Sequence, residues 1–597
     1  MNFKKAFPIL LLSAFGYLVF APSCANTSAP PGGGAKDTIP PVLLHTNPPA
    51  NSTHFSGRRI QLTFDEFVKL NDALNQIYLS PPQSRRPVTV VRGKSVVMTF
   101  PQPLDSATTY HIQFGLSIQD NNEGNPFGAY SFSFSTGSEL DSLSFSGYLV
   151  DAQTLLPIAN ASILLHTNHA DTSVYKNLPN ALGRTDSWGY FYLPNLKPVP
   201  YRVFAIEDPN RNHKLDDNET VAFLDSLFVP VHTITPERLA HILVDPQDTL
   251  NMLRRPVEQT LYLFKEKPKR QVLRDKVRPQ PRMFFFTFNA PDAHVIDLDV
   301  QGVDSLSIVR ERSFWGDTLR YWISGNHVPD TIRGTVHYLR TDSLNQLSPY
   351  EERFSLNLPR EREGQSERKD TLIVELKSKG ELVERQGIEF LFSNYPAVFY
   401  TDSIILRYAT AGEEKVKVPF TFHKDSLDGC RYYLHAQTWI PNTEYTLVVP
   451  QNTFKDVYGF ANDSLTHQVS IPDPNKFGSI TVILEGGAGA YVVDLLSESR
   501  DRVVRSLHLK SGETGLFSYL ADGKYAIRIT EDKNGNGVWD TGNLSIGLQP
   551  ERVRIYRFSG EADTIEITDK IELEQTIDLD KLFTHDIAPS IPPKTSK

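Results

Sequence analysis

The residues best placed to do chemistry lie in two short loops of almost identical pattern. Asp208, Asn210, Asn212 and Asp216 hold the first, third, fifth and ninth positions of one loop. Asp532, Asn534, Asn536 and Asp540 hold the same positions of the other. Alternating oxygen side chains in one tight turn form the ligand pattern of a hard cation, because calcium collects six to eight oxygens and a single turn can present most of them. The backbone carbonyl of Val538 would add to the second set and the Glu219 carboxylate to the first. Structural calcium is the one cofactor this pattern implies. The alternative is a solvated turn in which each Asx side chain bonds its own backbone and no metal is needed.

The two loops fail the calcium pattern in complementary ways. Loop 208–219 has an apolar residue, Leu215, at position 8 and a carboxylate, Glu219, at position 12, as an EF-hand loop does. Its sixth residue, where the turn needs positive φ and glycine is usual, is His213. Loop 532–543 restores that glycine as Gly537 and carries Trp539 at position 8, but Asn543 replaces the bidentate Glu. Helices do not flank either loop. Tyr201–Ile206 and Tyr525–Thr530 read as strands feeding them, as in the calcium loops of extracellular β-sandwiches. Leu196 and Tyr201 recur at the spacing of Leu520 and Tyr525, so whole modules are duplicated, not loops alone.

A second pattern is Asp-(Ser/Thr)-aliphatic. It occurs at Thr38, Ser106, Ser142, Ser226, Thr249, Ser305, Thr318, Thr331, Ser343, Thr371, Ser403, Ser426, Ser464 and Thr564. Average composition gives roughly two such triplets in a chain of this length. The triplet resembles the O-glycosylation signal of Bacteroidetes, which implies a glycan on exposed hydroxyls. The alternative is that Asp-Ser and Asp-Thr open strands after turns.

Catalytic patterns do not appear: there is no G-x-S-x-G, H-E-x-x-H, P-loop or C-x-x-C. The expectation is a protein that is not an enzyme. The alternative from another class is a glycan-processing or peptidase enzyme with its site in residues 255–360, since paired carboxylates can meet in space without a sequence signature. A formal charge of −9 argues against nucleic acid as a partner.

The elements that must position these residues are strands. Ile60–Phe64, Tyr130–Phe134 and Ser479–Ile483 alternate polar and apolar residues, and Met283–Phe288 reads as a buried strand. Turn residues interrupt such runs about every ten positions, the mark of tandem β-sandwiches and an all-β fold. Residues 1–23 pair a Lys4-Lys5 charged region with an apolar stretch too short to span a bilayer. Ala21-Pro-Ser23 then precedes Cys24, which resembles a bacterial lipoprotein signal that leaves Cys24 lipidated. Ala21 stands where the usual motif has Leu, so a plain secretory signal cut near Ala25 is the alternative. Residues 24–38 form a flexible tether. Cys24 and Cys430 are the two cysteines, so no disulfide framework is implied, and Cys430 reads as a small buried hydrophobe.

Residues 39–137 resemble the SbsA-type bacterial Ig-like domain of Bacteroidetes lipoproteins, through Asp37-Thr-Ile-Pro-Pro41, Phe64-Asp-Glu-Phe-Val-Lys-Leu70, Asp120-Asn-Asn-Glu-Gly-Asn-Pro126 and Phe132-Ser-Phe-Ser-Thr-Gly137. A degenerate second copy is expected at 366–472. Residues 143–250 resemble the carboxypeptidase regulatory-like, transthyretin-type sandwich, through Gly147-Tyr-Leu-Val-Asp151 and Thr185-Asp-Ser-Trp-Gly-Tyr-Phe191. The Leu-Tyr-Asp register marks its second copy at 476–583. Residues 255–360 are β-rich without a family, and 584–597 read as a disordered tail. Together these imply a cell-envelope lipoprotein anchored in the outer membrane. The periplasmic face is favoured slightly over the cell surface, because no acidic cluster follows Cys24. Its role would be scaffold, spacer or adhesive surface, with a protein or glycan partner in the envelope.

Overall fold

The computed structural model describes residues 37–233, 235, 255–324, 329–358, 371–377, 387–408, 416–426, 428–558, 562–568 and 570–584. Across them the chain is almost all β. The α-helices among the described residues are short: Ala73–Gln76, Ser173–Lys176 and Leu579–Thr584. The alternation at Ile60, Tyr130 and Ser479 becomes the strands Arg59–Phe64, Tyr130–Ser135 and Gly478–Glu485, buried on one face and partly exposed on the other. Met283–Phe288 is a strand. The chain divides into two compact units, Met1–Asp141 and Ser142–Lys597, and the division falls in the polar run Gly137–Asp141.

In the first unit Leu43–Asn47, Arg59–Phe64, Ser95–Thr99 and Val88–Arg92 lie side by side, and Tyr78–Ser80, Thr109–Gly115 and Tyr130–Ser135 form a second sheet. Ile60, Leu62, Phe64, Met98, Ile112 and Phe134 close one core from both sheets. With the short pair Val68–Leu70 and Ile118–Asp120 set aside, the first sheet holds the first, second, fifth and fourth strands and the other the third, sixth and seventh. That is the order of constant-type immunoglobulin sandwiches. The buried Tyr110 hydroxyl accepts the Asp105 N–H at 2.9 Å, in the manner of a tyrosine corner. Gly124 takes φ +81° in the Asp120–Pro126 turn, as that turn requires.

The same order recurs twice in the second unit. Leu273–Gln280, Met283–Phe288, Thr318–Ile323 and Ile308–Arg312 form one sheet, and Val295–Val300, Thr331–Thr341 and Leu347–Asn357 the other. Residues 273–357, which carry no family motif, thus have immunoglobulin strand order. Val374–Lys377, Ile388–Phe392, Arg431–Ala436 and Phe420–Lys424 repeat it, opposite Ile405–Tyr408, Thr443–Val449 and Leu465–Ile471. There the buried Tyr445 hydroxyl accepts the Ile440 N–H at 2.7 Å, again from five residues back.

Two further sandwiches share a different plan. Leu143–Asp151 runs antiparallel to Tyr190–Leu196 and parallel to Gln259–Lys265. Gly478–Glu485 likewise runs antiparallel to Thr514–Leu520 and parallel to Glu572–Asp578. Ala181–Arg184, Ser162–His166, Arg202–Ile206 and Thr220–Phe223 continue the same sheet in the first copy, whereas Val503–Lys510, Ala490–Ser497, Gly523–Asp532 and Val553–Ile555 form a separate sheet in the second. This differs from the expected boundary at 250–255. Gln259–Lys265 completes the sheet of the preceding sandwich, pairing with Leu143–Asp151 and also with Thr220–Phe223. A parallel pairing over such a sequence distance leaves no local mark in the sequence. Gly147 permits it: a Cβ there would lie 1.9 Å from the Gln259 carbonyl oxygen.

Candidate metal centre

Each Asx loop begins where a core strand ends. Gly523–Asp532 delivers Asp532 nearly buried, at 5 % exposure, and the chain then needs positive φ twice to turn. Gly535 and Gly537 supply it at +71° and +76°, whereas Arg211 and His213 are held at +59° and +58°. The glycine requirement expected at position 6 therefore applies in both loops, and position 4 shares it.

The carboxylate of the first position organises the turn. Asp532 Oδ1 accepts the N–H groups of Gly535 and Asn536, and Oδ2 accepts that of Gly537. Asp208 does the same for Asn212 and His213. Burial works against the Asp208 charge, but the His213 ring and these N–H groups outweigh it and hold the carboxyl below its ordinary range.

The third, fifth and ninth positions converge on one oxygen. The Asn534 and Asn536 amides donate to Asp540 Oδ2 at 2.6 and 2.8 Å. Asn210 and Asn212 donate to Asp216 Oδ2 at 2.6 and 2.7 Å. Both loops thus bring three side chains to a single point.

The twelfth positions diverge. Glu219 Oε2 accepts the Asp216 N–H at 3.0 Å, and burial raises the pKa of this carboxyl. Asn543 turns away and caps the one-turn helix Leu544–Ile546. In its place Glu551, outside the sequence motif, accepts the Asp540 N–H at 2.9 Å and the Lys533 N–H at 2.8 Å. Glu551 is 5 % exposed, and burial raises its pKa. Trp539 donates its indole N–H to the Glu551 carbonyl. Sequence spacing misses Glu551 because it arrives outside the twelve-residue loop, just before the strand Val553–Ile555. Lys267, two residues past the strand Gln259–Lys265, places its ammonium 2.6 Å from Asp540 Oδ1. Burial would raise the Asp540 carboxyl, yet Lys267 and the two amides hold it down. No group of three or more His, Cys, Asp or Glu side chains that could hold a metal ion occurs among the described residues, so Asp532, Asp540 and Glu551 in one loop, and Asp208, Asp216 and Glu219 in the other, do not gather at metal-holding distance.

The Asp-(Ser/Thr) hydroxyls lie at the surface. Ser106, Ser142, Ser226, Ser305, Ser343, Ser426, Ser464 and Thr38 are exposed, and Thr318, Thr331, Thr371, Ser403 and Thr564 are partly exposed. Thr249 and Cys24 lie outside the described residues, as do the signal segment, most of the tether and residues 585–597. Leu319 and Ile332 follow Thr318 and Thr331 into the core, as the strand-opening alternative requires. Leu306 and Leu344, at 91 % and 76 % exposure, have no such packing reason. Within 255–360 the buried carboxylate Glu311 is engaged by Arg320, the Trp322 indole and the Gly429 N–H, a structural use. Cys430 is half-buried, its thiol pushed up to about 12 by burial.

Residues 37–136 match the family described as Bacterial Ig-like domain. No curated protein matches the chain. Among solved structures, the S-layer protein rSbsC(31-844) is 10 % identical over 72 % of this chain and 67 % of its own, with a TM-score of 0.15. The Bacteroides ovatus mixed-linkage glucan utilization protein SGBP-B is 10 % identical, covering 70 % and 94 %, with a TM-score of 0.16. E. coli alpha-2-macroglobulin is 10 % identical over 87 % of this chain and 43 % of its own, with a TM-score of 0.13. Scores this low fall short of a shared overall fold.

Proposed function

We propose that this chain is a non-catalytic lipoprotein of the cell envelope, held in the outer membrane through Cys24, whose tandem sandwiches serve as a scaffold or binding surface. The observation that carries the reading is the recurrence of two sandwich plans, each copy with its own closed core; to it the reading adds the expectation that residues 1–23 are an export signal. Repeated modules with separate cores extend reach and multiply surface, which is what an anchored spacer or adhesive protein needs. The 366–472 segment is read as a second bacterial Ig-like domain, and the sandwiches beginning at 143 and 476 as transthyretin-like. The exposed triplet hydroxyls would carry glycans, with Ser305 and Ser343 the best placed. The periplasmic face remains the favoured location.

Crosslinking on intact envelopes followed by affinity capture tests the function. A reproducible protein or glycan partner is expected. Hydrolysis of envelope glycan or peptide by the purified chain would overturn the reading.

The Asx loops are read as structural calcium sites. Turning the two Asn amides over, an exchange of oxygen and nitrogen that leaves the shape unchanged, would place two carbonyl oxygens beside Asp540. Asp532, Asp540, Glu551 and the Val538 carbonyl complete an oxygen set of the kind calcium takes. In the first loop Asp208, Asn210, Asn212, Asp216 and Glu219 play these parts. Affinity on the order of 10⁻⁴ to 10⁻³ M is typical of extracellular modules. Calcium at ten times its dissociation constant would stabilise the fold by about 1.4 kcal/mol. Melting the full chain with and without millimolar calcium, beside Asp532→Ala, tests this: no shift in the parent leaves the loop a polar turn.

A further inference from the structure

The last sandwich is covered on a face that antiparallel sandwiches commonly leave to solvent. Ala490–Ser497 pairs with Gly523–Asp532, Leu496 opposite Ala526 and Asp494 opposite Arg528. Val493, Leu495 and Ile527 of these strands close the core. By strand alternation Leu496 and Ala526 point the other way, yet they are 1 % and 0 % exposed. Asp494 and Arg528 form a buried ion pair of 2.8 Å on the same outer face. A turn of the second sandwich lies over them. Leu155 packs against Leu496, Ala526 and Ile555, and the Arg528 guanidinium donates to the Gln153 carbonyl at 3.3 Å. Asp151 builds this turn, its Oδ1 accepting the Gln153 and Thr154 N–H groups. Leu155 is held at φ +59°, a left-handed conformation that is unfavourable for a residue with a Cβ and persists only where its surroundings impose it. Elsewhere on the contact Gln549 donates to the Phe223 carbonyl at 2.9 Å, and the Thr541 hydroxyl to the Lys265 carbonyl at 2.7 Å.

We propose that the outer face of the last sandwich is a docking site for the 151–156 turn, anchored by Leu155, and that the contact is a releasable clasp closing the second unit on itself. Gln153 and Arg528 are 375 positions apart, so the second and last sandwiches meet although two others separate them in the chain. One apolar knob among hydrogen bonds and an ion pair is the mixed composition of interdomain contacts that move. Opening lets water reach the Asp494–Arg528 pair and lets the Leu155 backbone leave its strained conformation. Against this stands the apolar contact of Leu155 with Leu496, Ala526 and Ile555, which opening gives up. Burial of Leu155 therefore decides which state holds. If the chain is a scaffold, the clasp sets its reach: closed, the last sandwich sits beside the second; open, the sandwiches of this unit can extend. That step to reach rests on the scaffold reading, whereas the clasp itself does not.

The test uses the full chain carrying Cys24→Ser and Cys430→Ser, so that Ala526→Cys supplies its single thiol. Maleimide labelling then reads opening, because position 526 has no exposure while the clasp is closed. In this background Leu155→Ala, which removes the knob and keeps the strain, should label about tenfold faster than the chain with Leu155. Leu155→Gly, which also relieves the strain, should label more slowly than Leu155→Ala. Equal rates with Leu155 and Leu155→Ala would overturn the anchor. Labelling of the Leu155 chain as fast as in denaturing urea would overturn the clasp. A rate that falls as protein concentration rises would place a second copy on the face and overturn the intramolecular contact. Without the added thiol, small-angle scattering of Leu155→Asp in the Cys24→Ser chain should give a larger radius of gyration than Cys24→Ser alone, and an unchanged radius would also overturn the clasp. Retained circular dichroism establishes that the variants compared are folded. Neither readout depends on the scaffold role, which the capture experiment tests separately.

Discussion

Replacing Gly147 by Ala should detach the parallel strand Gln259–Lys265 from the second sandwich. The added Cβ would stand 1.9 Å from the Gln259 carbonyl oxygen and 2.8 Å from the Phe191 ring. The nearer obstacle is backbone, so no rotamer change relieves it. If the two strands separate only enough to fit a methyl group, overpacking costs about 1–3 kcal/mol. If the strand lifts off, Leu261 and Leu263, 1 % and 2 % exposed, leave the core at roughly 1.5–3 kcal/mol each. The expected loss lies between these, about 3 kcal/mol. For a sandwich of this size the corresponding drop in melting temperature is roughly 10 °C. Calorimetry on the full chain should show one transition moving while the others stay, because the sandwiches have separate cores and need not melt together. A change below about 0.5 kcal/mol would refute the close approach, and with it the assignment of Gln259–Lys265 to this sheet.

Three further outcomes are expected. Gly535→Ala should destabilise the last sandwich by about 1 kcal/mol through backbone strain alone, since φ is +71° and a Cβ there meets nothing within 4 Å; chemical denaturation measures it. His166 is buried opposite Arg202 in the sheet, and burial lowers its pKa from 6.5 to about 4. The unfolded chain takes up a proton near pH 6.5 and the folded chain only near 4, so stability is full above 6.5 and falls as pH drops through that window. The loss totals about 3 kcal/mol at 1.36 kcal/mol per unit; urea melts at pH 7 and pH 5 should show roughly half of it, and His166→Leu should flatten the dependence. Cys24→Ala should move the protein from the detergent phase to the aqueous phase in a partition experiment; a parent already found in the aqueous phase with an unmodified N-terminus would refute lipidation.

The sequence by itself determined the all-β class, the Ig-like domain near the N-terminus and the two Asx loops. Each is written locally: alternation has a period of two residues, and the loops concentrate their Asp and Asn within nine positions. Gly537 and Leu215 could be assigned their places because a turn imposes φ and burial on its own residues. Tertiary structure alone decided the rest. Glu551 reaches the loop from just before the strand Val553–Ile555, Lys267 comes from the connector after Gln259–Lys265, and Gln259–Lys265 pairs in parallel with a strand more than a hundred residues earlier. Residues 273–357 showed no family motif, yet their strands take immunoglobulin order, because topology is a matter of which strands pair, and alternation is the same whichever partner a strand finds. Contacts between distant segments depend on how cores close in space, and a one-dimensional pattern carries no record of that closure.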